Sequence, residues 1–111
     1  MNSGRFGMSA DFVVDRIGSV LSIELYDDLI LLLGRNPDND IVFGAPTVSR
    51  VHACLYVYGG QVWIRDLSSA NGVYLNQSRI VGDTAVHPRD EISLGPDTRI
   101  QVRMARQAMS A

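Results

Sequence analysis

Gly59-Gly60 divides two runs of strand character, Ala53–Tyr58 (ACLYVY) and Gln61–Asp66 (QVWIRD). Glycine adopts positive φ without steric cost, so a two-glycine link between such runs reads as a hairpin turn. The same punctuation recurs along the chain. Leu21, Ile23 and Leu25 alternate with Ser22 and Glu24, the period-2 pattern of a strand with one wet face. Tyr26-Asp27-Asp28 is a turn, and Leu29 to Leu33 is an apolar run too short for an ordinary helix, consistent with a strand covered on both faces. Gly34-Arg35-Asn36-Pro37-Asp38-Asn39-Asp40 is dense in turn formers. Ile41-Val42-Phe43, Val73-Tyr74-Leu75, Glu91 to Leu94 and Arg99 to Met104 supply further short strands. In the last of these Ile100, Val102 and Met104 share one face, and Arg99, Gln101 and Arg103 the other. Many short strands without a long helical period predict an all-β sandwich or barrel.

Composition narrows the function classes. A chain of 111 residues is one domain by size and long enough to bury a core. Hydrophobic content of 46% with net charge −2 argues against disorder. All ten positive side chains are arginine, scattered rather than gathered in the basic stripe of a nucleic-acid binder. Cys54 is the sole cysteine, which rules out an internal disulfide and a Cys-rich zinc site. Its place in an apolar run marks it as a small buried hydrophobe. Met1 to Ala10 lacks the apolar core of a signal peptide, and no apolar run approaches the ~20 residues that span a bilayer. These features predict a cytoplasmic protein without membrane or nucleic-acid partners, and nothing calls for a metal or cofactor. Residues 1–10 read as a flexible lead-in, and 105–111 as a tail, either a helical stub or frayed. Asp11-Phe12-Val13-Val14 reads as the first strand.

Three polar clusters sit where strands meet turns: Gly34-Arg35, Ser49-Arg50-Val51-His52 and Asn71-Gly72. If strands pack as a sandwich, loops at one end can gather all three. Arg35 leaves an apolar run directly after Gly34, and a guanidinium there has a planar fork suited to phosphate oxygens, although a solvated loop arginine is the commoner outcome. Ser49, His52 and Asp66 are the residue types of a hydrolase triad. A three-residue Ser–His spacing does not establish the necessary geometry, and no G-x-S-x-G elbow is present. A histidine at the start of a strand is more often a structural hydrogen-bonder. Asn71-Gly72 reads either as a tight turn or as an amide positioned for a bound backbone. Neither G-x-x-x-x-G-K-[ST] nor G-x-G-x-x-G occurs, so nucleotide cradling has no support.

The clusters acquire meaning in order. Gly34-Arg35 with Asp40-Ile41, then Val48-Ser49-Arg50-Val51-His52-Ala53, then Asp66-Leu67-Ser68-Ser69-Ala70-Asn71-Gly72-Val73-Tyr74-Leu75-Asn76, then Arg79-Ile80 and Asp90-Glu91-Ile92-Ser93-Leu94-Gly95 succeed one another. Over roughly residues 11–104 this set resembles the forkhead-associated (FHA) domain. The resemblance implies a β-sandwich of two mainly antiparallel sheets with about eleven short strands. It also implies a phosphothreonine-binding module rather than an enzyme.

Carried over by position, Arg35 and Ser49 contact the phosphate, and Arg50 and Ala70 add to the phosphopeptide site. Asn71 holds the peptide main chain. Gly34, His52 and Gly72 support the site, while Asn36, Asp38, Asn39, Thr47, Gln77 and Arg79 are candidates for reading flanking residues. Ala70 departs from the family, which often has threonine there, and Gln77 stands where glycine commonly follows the asparagine. The missing threonine hydroxyl leaves open a phosphate-independent scaffold or self-association domain of the same fold. Threonine occurs only at Thr47, Thr84 and Thr98, so the two terminal segments offer no phosphothreonine of their own, and partners are expected in trans unless a serine is used or the chain is a piece of something longer.

Overall fold

The computed structural model describes residues 5–14 and 19–106, with side chains from 22 to 103. It contains eleven strands and, among the described residues, no helix. They are β1 (Arg5–Val14), β2 (Ser19–Tyr26), β3 (Ile30–Gly34), β4 (Ile41–Val42), β5 (Ala53–Tyr58), β6 (Gln61–Asp66), β7 (Val73–Leu75), β8 (Ser78–Arg79), β9 (Thr84–Val86), β10 (Glu91–Leu94) and β11 (Thr98–Arg106). One sheet has the order β2-β1-β11-β10-β7-β8 and the other β4-β3-β5-β6-β9. Every pairing described is antiparallel except β3 with β4.

The alternation along each strand explains why the sheets stack. Leu33, Leu55, Val57, Val62, Ile64 and Val86 point inward from the five-stranded sheet, and Val73, Ile92, Leu94, Ile100 and Val102 face them from the other. Burial of each such side chain contributes roughly 1.5–3 kcal/mol. The Gly59-Gly60 hairpin forms as expected, with φ of 61° and 73° and Tyr58 opposite Gln61.

Several elements differ from the sequence expectation. The strand expected from Asp11 begins at Arg5, because Met8, Ser9 and Ala10 pair with both β2 and β11. Strand β11 likewise continues through Ala105 and Arg106, while residues 1–4 and 107–111 lie outside the described part. The run Leu29 to Leu33 is not covered on both faces: Ile30 is 62% exposed, while Leu33 is fully buried. Its sheet is one wall of a two-layer sandwich, so alternate residues of β3 face out. The short strands β8 and β9 lack apolar runs and were not expected. Cys54 is buried as expected, and burial pushes its thiol above the ordinary value against the opposing effect of Arg65.

Two backbone positions carry testable strain. A Cβ on Gly34 would collide with the carbonyl oxygen of Arg50 and lie 2.7 Å from the Asn39 amide nitrogen, whereas Gly44 has open space around it. Gly34→Ala is therefore expected to lower stability by about 2 kcal/mol and Gly44→Ala by less than about 0.5 kcal/mol in urea denaturation. Asn76 and Gln77, the turn between β7 and β8, have φ of 50° and 72°. Gln77→Gly should accordingly raise stability, by about 1 kcal/mol in the same measurement.

Candidate functional site

The loops at the end of the sandwich that holds Gly34 are stitched together by backbone groups. Arg35 N–H donates to the Ser49 carbonyl at 2.9 Å, Asn36 N–H to the Arg50 carbonyl at 3.0 Å, and His52 N–H to the Leu33 carbonyl at 2.8 Å. The Asn39 amide donates to both the Asn36 carbonyl (2.9 Å) and the Arg50 carbonyl (2.6 Å). Gly34 is what lets the Arg50 carbonyl come this close. The Arg35 side chain turns back along the second loop, its Nε–H donating to the Val48 carbonyl at 3.0 Å. That bond fixes the plane of the guanidinium and leaves its terminal N–H groups outward.

His52 joins the second loop to the third. It is fully buried, and its Nδ1 accepts the backbone N–H of Ser49 at 3.0 Å. Acceptance at Nδ1 places the ring proton on Nε2, which donates to the Gly72 carbonyl at 2.7 Å. The Gly72 carbonyl also receives Gly95 N–H at 2.9 Å, which ties in the β10–β11 turn. Across the same gap Ala70 N–H donates to Ser49 Oγ at 2.9 Å, and the Asn71 amide donates to the Thr47 carbonyl at 2.7 Å. Ser49 Oγ thus has one lone pair engaged and its own proton available to an incoming acceptor. Within the third loop Ser69 Oγ accepts Gly72 N–H, and Asp66 Oδ1 accepts Ser69 N–H, both at 2.9 Å.

This wiring is incompatible with a catalytic triad. His52 receives the main chain of Ser49 rather than its hydroxyl, and Asp66 serves Ser69 rather than the imidazole. Among the described residues, no base is placed to activate Ser49. What the end of the sandwich offers is a donor surface: the Ser49 hydroxyl, the exposed Arg35 and Arg50 side chains, and the exposed Asn71 amide. Neither guanidinium is paired with a carboxylate among the described residues. Such a surface suits a compact, multiply charged anion. No group of side chains able to hold a metal ion is found among the described residues, and no helix there is long and apolar enough to cross a membrane.

The candidate residues do not all face the same way. Gly34, Arg35, Ser49, Arg50, His52, Ala70, Asn71 and Gly72 come together as described. Asn39 does not face solvent: it is 8% exposed, and its amide is consumed in bridging the first two loops. The Thr47 hydroxyl is buried without a partner, and only its main chain reaches Asn71. The Asn36 side chain accepts Asp38 N–H at 3.1 Å, which shapes its own loop. Asp38, Gln77 and Arg79 are exposed, and the Arg79 guanidinium lies over Gly72, its Nε 2.9 Å from where a Cβ would be. Sequence reasoning missed a groove of about 430 Å³ beginning at Asn71 and lined by Tyr74, Ser93, Arg99 and Glu91. Only the strand pairing brings those residues together.

Comparison with known proteins agrees with this geometry. The FHA domain family model matches residues 31–95. Among curated proteins, the glycogen accumulation regulator GarA of Mycolicibacterium smegmatis is 39% identical over 78% of this chain and 54% of its own length. The transcriptional regulatory protein EmbR of Mycobacterium tuberculosis is 39% identical over 56% of this chain and 16% of its own length. The chain thus spans about half of the first relative and less of the second. Among solved structures, M. tuberculosis EmbR in complex with a low-affinity phosphopeptide superposes with a TM-score of 0.77 at 27% identity, covering 93% of this chain and 26% of that one. An FHA domain of an Arabidopsis thaliana protein gives 0.81 at 26% identity, covering 100% of this chain and 98% of the other. The ordered motifs, the two-sheet sandwich and the matched family model together establish that this chain belongs to the FHA domain family.

Proposed function

We propose that this chain is a phosphothreonine-binding module that docks onto phosphorylated segments of partner proteins and performs no catalysis. The observation that carries the reading is the pairing of two donors on one stitched frame. The Arg35 guanidinium is held against the Val48 carbonyl, and the adjacent Ser49 hydroxyl is oriented by Ala70 N–H. In this reading Arg35 and Ser49 bind the phosphate, Arg50 adds positive charge, and Asn71 bonds the peptide main chain with the amide groups not used on Thr47. The similar M. tuberculosis EmbR domain, solved with a phosphopeptide, supports the ligand class. Partners are phosphothreonine-containing proteins in the cytoplasm, and no cofactor takes part.

The energetics describe a modest binder. A few charge-assisted bonds must offset the ordering of a flexible peptide, giving a dissociation constant of about a micromolar. A second reading, a scaffold that binds without phosphate, draws on Ala70 and on the outer face of the five-stranded sheet. There Ile30 and Tyr58 are 62% and 69% exposed. Titration with matched phosphothreonine, phosphoserine and unphosphorylated peptides separates the two: the module reading requires that removing the phosphate abolish binding.

Three outcomes are expected in that titration. Arg35→Ala should weaken binding by about 2 kcal/mol or more, roughly thirtyfold, because it removes charged donors to the phosphate. Ala70→Thr should tighten it about tenfold by restoring a hydroxyl donor, without changing the fold. Affinity should also fall as pH drops below about 6, the second pKa of the phosphate, since the dianion is the tighter ligand. A pH-independent affinity between 5 and 7.5, roughly one unit or more on either side, would count against phosphate recognition.

A further inference from the structure

Strands β8, β7, β10 and β11 bring one row of side chains into register on the outer face of the six-stranded sheet. Arg79 lies opposite Tyr74, Tyr74 opposite Ser93, and Ser93 opposite Arg99. Their sequence neighbours Val73, Leu94, Ile92 and Ile100 are buried, so the row points away from the core. Tyr74, Ser93 and Arg99 line the open groove of about 430 Å³ that begins at Asn71, Gly95 and Pro96 beside the phosphate-binding loops. Arg79 closes the far end of the row and lays its guanidinium over Gly72. Arg99 is therefore the exposed cation that lines the part of the groove nearest the loops, and Arg79 lies outside the lining.

Farther from the loops the sign changes. Glu91 lines the groove two residues before Ser93 on β10. Its main chain is fixed, with its N–H donating to Asn76 Oδ1 at 2.9 Å and its carbonyl accepting Asn76 N–H at 2.8 Å. The neighbouring Asp90 carboxylate is committed to the Asn76 amide and to His87 N–H. No salt-bridge partner for Arg99 or Glu91 is found among the described residues. The groove thus runs from positive to negative as it leaves the loops.

We propose that this groove reads the partner's sequence by charge order, a specificity that rests on the phosphothreonine reading above. Ser93 and Arg99 lie one strand step of about 7 Å below the Gly95 turn, a distance an extended peptide covers in about two residues. Arg99 receives an acidic side chain two to four residues from the phosphothreonine, counted as roughly 3.3 Å per residue. Glu91 receives a basic side chain about two residues farther on. The favoured partner is a phosphothreonine segment followed along the groove by an acid and then a base.

The test is a set of phosphothreonine peptides in which each flanking position in turn carries Glu, Ala or Lys, titrated by fluorescence anisotropy. The wild-type protein should prefer Glu over Ala about fivefold at one position within the stated window, the worth of a single exposed charge pair. Arg99→Glu should reverse that preference toward Lys, and Arg99→Gln should erase it if the charge reversal fails to fold. Glu91→Arg should reverse the basic preference farther out and leave the acidic one alone. Phosphopeptide binding with no charge preference, or with one that the Arg99 variants leave unchanged, overturns this proposal and leaves the phosphothreonine reading standing. A folded wild-type protein that binds none of the phosphopeptides overturns both.

Discussion

The buried imidazole of His52 is the interaction on which the functional end depends. It is fully buried, and both ring nitrogens are used on main-chain groups of different loops, Ser49 N–H and the Gly72 carbonyl. A buried backbone group deprived of its partner costs roughly 1–3 kcal/mol, so removing the ring would leave Ser49 N–H without its acceptor and the Gly72 carbonyl with Gly95 N–H alone. No aliphatic side chain can serve as acceptor on one edge and donor on the other. With both ring nitrogens committed to main-chain groups, His52 is not placed to take a proton from the Ser49 hydroxyl.

Around that bridge the loops are rigid for a second reason, the close approach at Gly34. The Arg50 carbonyl accepts Asn36 N–H and the Asn39 amide, and it occupies space that any side chain at position 34 would need. Holding the second loop against the first fixes the direction in which Arg35 and Ser49 present their donors. Preorganisation of this kind matters because a short peptide brings few contacts and much disorder, so little ordering cost can be left to the protein.

How far the site was legible before folding follows from these contacts. Gly34, Arg35, Ser49, His52 and Asn71-Gly72 announced themselves because local turn chemistry and the ordered family pattern both act over a few residues. The hairpin at Gly59-Gly60 was readable for the same reason. Asn39 was misjudged as facing a ligand because a turn asparagine looks the same whether its amide meets water or a carbonyl eleven residues away. Strands β8 and β9 escaped notice because Ser78-Arg79 and Thr84-Ala85-Val86 offer no apolar run, unlike the equally short β4 and β7. Arg99 and Glu91 could be placed on strands but not beside one another, since they join Tyr74 in one groove only through the pairing of β7, β10 and β11.

The departure at Ala70 takes on a different weight once the geometry is known. The residue's contribution to the frame is its backbone N–H, which holds Ser49 Oγ at 2.9 Å, and any non-proline residue supplies that group. Alanine therefore removes a side-chain donor without disturbing the serine that remains. A threonine at this exposed position would add one charge-assisted bond, worth on the order of 1.5–3 kcal/mol. In the proposed function, the loops keep their geometry without it while the phosphate supplies a smaller share of the binding energy. A larger share then falls to residues flanking the phosphothreonine, and the charged groove beside Asn71 lies where those residues would pass. In the proposed reading, the missing hydroxyl at position 70 and the charged groove beside Asn71 belong together: a weaker grip on the modification is matched by a stronger dependence on its surroundings.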